Sequence, residues 1–105
     1  MSNMNQMMKQ AQALQRKLAQ AQEELAGKEV TGSAGGGMIT AVVNGAGTEV
    51  RSMAINPEAV DPEDVDMLQD MVVAAVNEAL RAAKELEAQT MGGLAGGMGL
   101  PPGLL

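Results

Sequence analysis

EVTGSAGGGMITAVVNGAGTEVRSMAI, residues 29–55, is the part of the 105-residue chain where helical periodicity disappears. Met38 to Asn44 is rich in β-branched residues and reads as a strand. Gly45-Ala46-Gly47 is a hairpin connection, and Thr48 to Ile55 is the returning strand. Val50, Met53 and Ile55 do not alternate strictly, which predicts an irregularity near Arg51 and Ser52. On the other side, Val30-Thr31 begins a short strand, and Ser33 to Gly37 forms a turn or bulge that glycine tolerates most easily. Three short antiparallel strands result.

Both flanks are helical. Met4, Met7, Ala11, Leu14, Leu18, Ala21 and Leu25 recur with a heptad period among Gln, Lys and Arg, predicting an amphipathic helix that ends near Gly27, a suitable C′ position. Its narrow seam suits a partner helix or the core of its own domain. After Asn56-Pro57, Asp61 is the expected N-cap of a second helix from about Pro62 to Ala88, with Glu63, Asp64 and Asp66 favoured at its start. Val65, Leu68, Val72, Ala75, Val76, Ala79, Ala83 and Leu86 line one face, and its alanines would let another element approach closely. The expected organisation is one α+β domain over residues 1–91, ordered helix, three-stranded antiparallel sheet, helix. Residues 92–105, rich in Gly and Pro, are expected to form a flexible tail.

Composition excludes most chemistry. The chain has no Cys, His, Trp, Tyr or Phe. It therefore has no disulfide, thiol nucleophile, imidazole base or zinc-finger site, and no aromatic platform on which single-stranded bases could stack. No enzyme activity, cofactor or resident metal is expected. The missing aromatic rings also leave Leu, Val, Ile, Ala and ten Met to build the core. So small a core is expected to be completed by a second copy of the chain. The first ten residues contain no continuous apolar run, and the longest purely apolar stretch, Met71 to Val76, is far below the roughly 20 residues of a membrane span. A soluble cytoplasmic protein without membrane contact is expected.

Two motifs have competing readings. Gly35-Gly36-Gly37 invites a phosphate-loop reading, but no Gly-Lys-Ser/Thr and no helix start follow it, so it reads as a turn. Asp61, Glu63, Asp64, Asp66 and Asp70 resemble a cation cluster, yet carboxylates at a helix start are what the helix dipole favours. Charge is unevenly spread along the chain. The net charge of −6 divides into +2 over residues 1–28, −1 over 29–56 and −7 over 57–105. On the first helix Lys9 and Arg16 lie opposite the apolar seam with Lys17 beside them, among several Gln residues. Such a face is either a solvated surface or a sequence-independent contact for DNA phosphates.

Several segments resemble the YbaB/EbfC family of bacterial nucleoid-associated DNA-binding proteins. They are Met8-Lys9-Gln10-Ala11-Gln12, Gln22 to Ala26, Val30-Thr31-Gly32, Ala34 to Gly37, Val43-Asn44-Gly45, Ile55 to Glu58, Leu68 to Ala79 and Leu100 to Gly103. The resemblance covers nearly the whole chain in order. It implies an intertwined, tweezer-like homodimer whose helices project as arms, binding duplex DNA in the nucleoid with little sequence preference. On that model the DNA contacts here would come from Lys9, Arg16 and Lys17, with Arg81 and Lys84 as weaker candidates. The acidic second helix departs from the pattern, because Glu78, Glu85 and Glu87 crowd its two basic residues. The alternative expectation is an acidic protein–protein adaptor near the nucleoid, with weak or indirect DNA contact.

Overall fold

The computed structural model describes residues 2–97. Helix α1 (Ser2–Gly27) leads into strands β1 (Glu29–Ala34), β2 (Ile39–Asn44) and β3 (Val50–Ile55), a short 3-10 turn (Pro57–Ala59) and helix α2 (Val65–Gly97). The sheet is antiparallel in the order β1-β2-β3. This is the helix, three-strand sheet, helix arrangement that the sequence predicts.

The hairpin turns follow from backbone freedom. Gly35, Gly36 and Gly37 all have positive φ (65°, 67° and 92°), and the Met38 N–H closes the turn on the Gly35 carbonyl at 3.3 Å. The β2–β3 connection is organised by Asn44, which is buried. Its Oδ1 accepts from the backbone N–H groups of Thr48 (2.9 Å) and Glu49 (3.0 Å), and its amide donates to Thr48 Oγ1 at 2.9 Å. Every buried side-chain polar atom among the described residues is thereby satisfied. The expected irregularity in β3 is a bulge: Val42 pairs with Ser52 but Val43 pairs with Val50, leaving Arg51 as the extra residue.

Helix α2 lies across β1 and β2 rather than β3. Ala75, Ala79 and Ala83 are fully buried against Ile39, Ala41 and Val43. The approach is close enough to require glycine at Gly32, where a Cβ would collide with the Ala79 backbone and come within 2.6 Å of the Ala75 carbonyl oxygen. Among the described residues, only Leu25, Ile39 and Val43 are large side chains wholly removed from solvent. The molecule measures 73 × 21 × 16 Å, with a radius of gyration of 19.5 Å, against about 13 Å for a compact domain of this length. So thin a body buries little of itself.

Helix α1 ends at Gly27, where expected, but Gly27 does not adopt a left-handed cap; the Lys28 N–H ends the helix on the Glu24 and Leu25 carbonyls. Both ends of α2 differ from expectation. Asp61 does not cap α2. Its carboxylate accepts from the Glu63 N–H at 2.9 Å in a separate turn, and Asp64 caps the helix through the Met67 N–H at 3.3 Å. Val65, placed on the buried face by its spacing, is therefore the first helical residue and is 47% exposed. At the other end α2 continues through Gly92 and Gly93 to Gly97, into the segment expected to be a flexible tail; residues 98–105 of that segment lie outside the described residues.

Candidate nucleic-acid interface

The two helices run antiparallel. Gly45 brings Leu25 and Leu86 together, and further along Lys17, Gln20, Ala21 and Glu24 face Thr90 and Leu94 across a shallow groove. The first half of α1 lies beyond this groove as an arm, with every residue from 3 to 12 exposed. The apolar seam records this change. Leu25 and Ala21 are buried and Leu18 and Leu14 half-buried, whereas Met7 and Met4 are 67% and 73% exposed. A helix with a strong seam and good helix formers persists there beyond its tertiary support.

Lys9 and Arg16 sit on the exposed side of this helix, seven residues apart and opposite the seam. Lys17 is exposed on the flank, at the groove between the helices. Arg81 and Lys84 lie elsewhere, on the outer face of α2. They line a cleft of about 390 Å³ with Ala46, Gly47, Asn77, Leu80 and Glu87. Glu78 and Glu85 flank Arg81 on its other side. Helical rise, at roughly 1.5 Å per residue, places Lys9 and Arg81 about 30 Å apart along the molecule. The five candidate residues thus fall in three settings: Lys9 on the arm, Arg16 and Lys17 where α1 already lies beside α2, and Arg81 and Lys84 on the body among carboxylates.

The acidic residues gather at the opposite end. Glu58, Asp61 and Asp64 rim a cleft of about 360 Å³ with Gly35, Met38, Ala59, Met67 and Met71. Among the described residues, no three acidic side chains are grouped closely enough to hold a metal ion. No described helix is long and apolar enough to cross a membrane.

One basic residue with a structural contact escaped sequence reasoning. Arg51, the bulge residue, donates from Nη2 to the Ala26 carbonyl at 2.9 Å, reaching the last turn of α1 from β3. Its Nε also lies 3.9 Å from the Glu49 carboxylate. Only the break in strand alternation hinted that this side chain is aimed differently from its neighbours.

Comparison with known proteins identifies the family and the fold. Residues 1–98 match the model of the YbaB/EbfC DNA-binding family. A nucleoid-associated protein of Saccharopolyspora erythraea is 57% identical over 102 residues, covering 97% of this chain and 87% of its own length. Another from Syntrophobacter fumaroxidans is 54% identical, covering 92% of this chain and 91% of its own length. One from Bacillus thuringiensis is 52% identical over 99% of this chain and 94% of its own. The crystal structure of an uncharacterised Helicobacter pylori protein has the same fold, with a TM-score of 0.66, 23% identity, and coverage of 77% of this chain and 84% of that one. With its whole helix–sheet–helix body inside the match, the chain belongs to the YbaB/EbfC family of nucleoid-associated DNA-binding proteins, which are not enzymes.

Proposed function

We propose that the protein binds duplex DNA in the nucleoid as a cytoplasmic homodimer, with little sequence preference, through the basic residues of the projecting helix α1. Helix α1 carries the reading. It holds Lys9, Arg16 and Lys17 beyond the sheet, while the carboxylates of residues 58–70 lie at the far end of the molecule. An acidic protein can hold a polyanion only where its cations are gathered apart from its acids. Arg81 and Lys84 are secondary contacts, since neighbouring carboxylates oppose a phosphate there.

Dimerisation is supported by the apolar surface one protomer leaves open. Ile55 on β3, Val60 after the 3-10 turn, and Val65 and Val73 on α2 are all exposed, and α2 does not cover β3. A second copy would bury this surface and double the arms. Sedimentation at low micromolar concentration is expected to give a dimer; a stable folded monomer overturns that part of the proposal.

Titration of two unrelated duplexes at several salt concentrations tests the rest. Lys9, Arg16 and Lys17 from two protomers neutralise at most about six phosphates, for a log–log salt slope of about −5. Similar affinities on both duplexes are expected, and Arg16→Glu with Lys17→Glu weakens both alike while the dimer persists. Unchanged binding by this double variant would overturn α1 as the contact surface.

A second reading is favoured by the opposite end, where Met38, Met67 and Met71 floor a carboxylate-rimmed cleft. Methionine surfaces adapt to varied partners, and the acidic rim suits a basic protein segment. On that reading the chain is an adaptor with weak DNA contact, and the same double variant would leave its activity intact.

A further inference from the structure

We infer that Arg51 is a positioning residue for DNA binding: it touches no phosphate but fixes the angle at which the α1 arm leaves the body. The inference rests on the proposal that the arm holds DNA.

The arm is a lever with a narrow base. Its outer half has no tertiary support among the described residues, so its direction depends on the groove its second half shares with Thr90 and Leu94 and on contacts near its C-terminus. Three of these act together. Leu25 is buried beside Leu86. The Gly45 N–H donates to the Lys28 carbonyl at 2.8 Å, and a Cβ on Gly45 would come within 2.5 Å of the Leu25 carbonyl oxygen. Arg51 supplies the third through its 2.9 Å hydrogen bond to the Ala26 carbonyl.

The Arg51 contact differs from the other two in kind. It joins residues 25 positions apart, from the far strand of the sheet to the end of α1. It exists because the bulge inserts Arg51 as an extra residue in β3. A guanidinium is also matched to its target, because the last carbonyls of a helix lack intrahelical partners and carry partial negative charge. Glu49, 3.9 Å from the Arg51 Nε, holds the side chain from the other side. Small rotations at the base move Lys9, some 18 residues and about 27 Å further out, by many times as much.

The chain has no Cys, so Gln6→Cys and Glu78→Cys accept spin labels cleanly on the arm and on α2. Labelled protein diluted into unlabelled chain reports the distance within one protomer. Arg51→Gln is expected to broaden that distance distribution and weaken duplex binding about three- to tenfold, the scale of one partly exposed charge-assisted hydrogen bond. The salt slope is expected to stay that of the parent, and Arg51→Lys to recover part of both effects. An unchanged distance distribution overturns the inference. So does a salt slope that falls by about one for each Arg51 removed, because Arg51 would then be a phosphate ligand. A broadened distribution with unchanged affinity also overturns it. Arg16→Glu with Lys17→Glu, run alongside, separates a failure of Arg51 from a failure of the arm itself.

Discussion

The two long helices are held in place by different physics. Helix α2 presents Ala75, Ala79 and Ala83 to the sheet and is buried along that stripe. Helix α1 presents larger side chains along its seam, Met and Leu, yet only its last third is buried. The helix with smaller side chains is the better packed. Close backbone approach, which alanine and Gly32 allow, brings a whole face into contact. Large side chains without an opposing surface gain nothing from their size. Seating by backbone proximity therefore governs α2, and anchoring at one end governs α1.

Substitutions can break that distinction or sharpen it. The largest effect is expected at the tightest point of the α2 seat. Gly32→Val has nowhere to put its side chain, because the atoms in the way belong to the α2 backbone. It is expected to prevent folding, with a loss well beyond the ~1–3 kcal/mol of ordinary overpacking; a cooperative thermal transition near that of the parent would show that α2 can lift off the sheet at little cost. Next is the anchor of α1. Leu25→Ala is expected to cost about 2–4 kcal/mol, read as a shift in the denaturation midpoint. A near-zero cost would mean that the hinge contacts alone hold the helix.

A smaller loss is expected at the hairpin that braces both helices. Asn44→Ala leaves the Thr48 and Glu49 N–H groups without their acceptor and is expected to cost roughly 1–3 kcal/mol. The smallest effect on global stability belongs to the arm. Gln12→Gly lowers local helix propensity by about 1 kcal/mol on an exposed, polar side of the unsupported half. Faster amide exchange in the first four turns is expected, with little change in melting temperature. A clear drop in melting temperature would place the outer arm inside the cooperative unit.

Most of the architecture was legible because it is written in local patterns. The strands follow β-branched runs between glycines, and even the bulge at Arg51 was signalled by Val50, Met53 and Ile55 falling out of alternation. What was not legible depended on residues distant in sequence. Gly92 and Gly93 read as tail residues, yet they lie in α2, whose Thr90 and Leu94 sit opposite α1; tertiary contact there outweighs glycine's poor propensity. The alanine spacing announced a close approach without naming Gly32 as its counterpart. Asp61 and Asp64 are both capping residues by type, and only the turn geometry separates them. Within the candidate interface, the basic arm face could be read from helical spacing. The separation of Arg81 and Lys84 from it could not, because that depends on how the two helices slide past each other. The Arg51 contact with Ala26 spans 25 residues and leaves no periodic trace.

The length of the molecule bears on how it meets a duplex. The Debye length is about 10 Å at 0.1 M salt, several times shorter than the 73 Å long axis. On the proposed reading, a polyanion approaching the arm is thus screened from the carboxylates at the far end and meets Lys9, Arg16 and Lys17 before Glu23 and Glu24 further down the same helix. The total of −6 governs how the molecule behaves toward its own kind and toward bulk ions, whereas the encounter with DNA is governed by whichever end arrives first. If the arm is the contact, approach by the acidic end is repelled and approach by the arm is drawn in, and the charge separation acts as a torque that turns the molecule arm-first as it nears the helix.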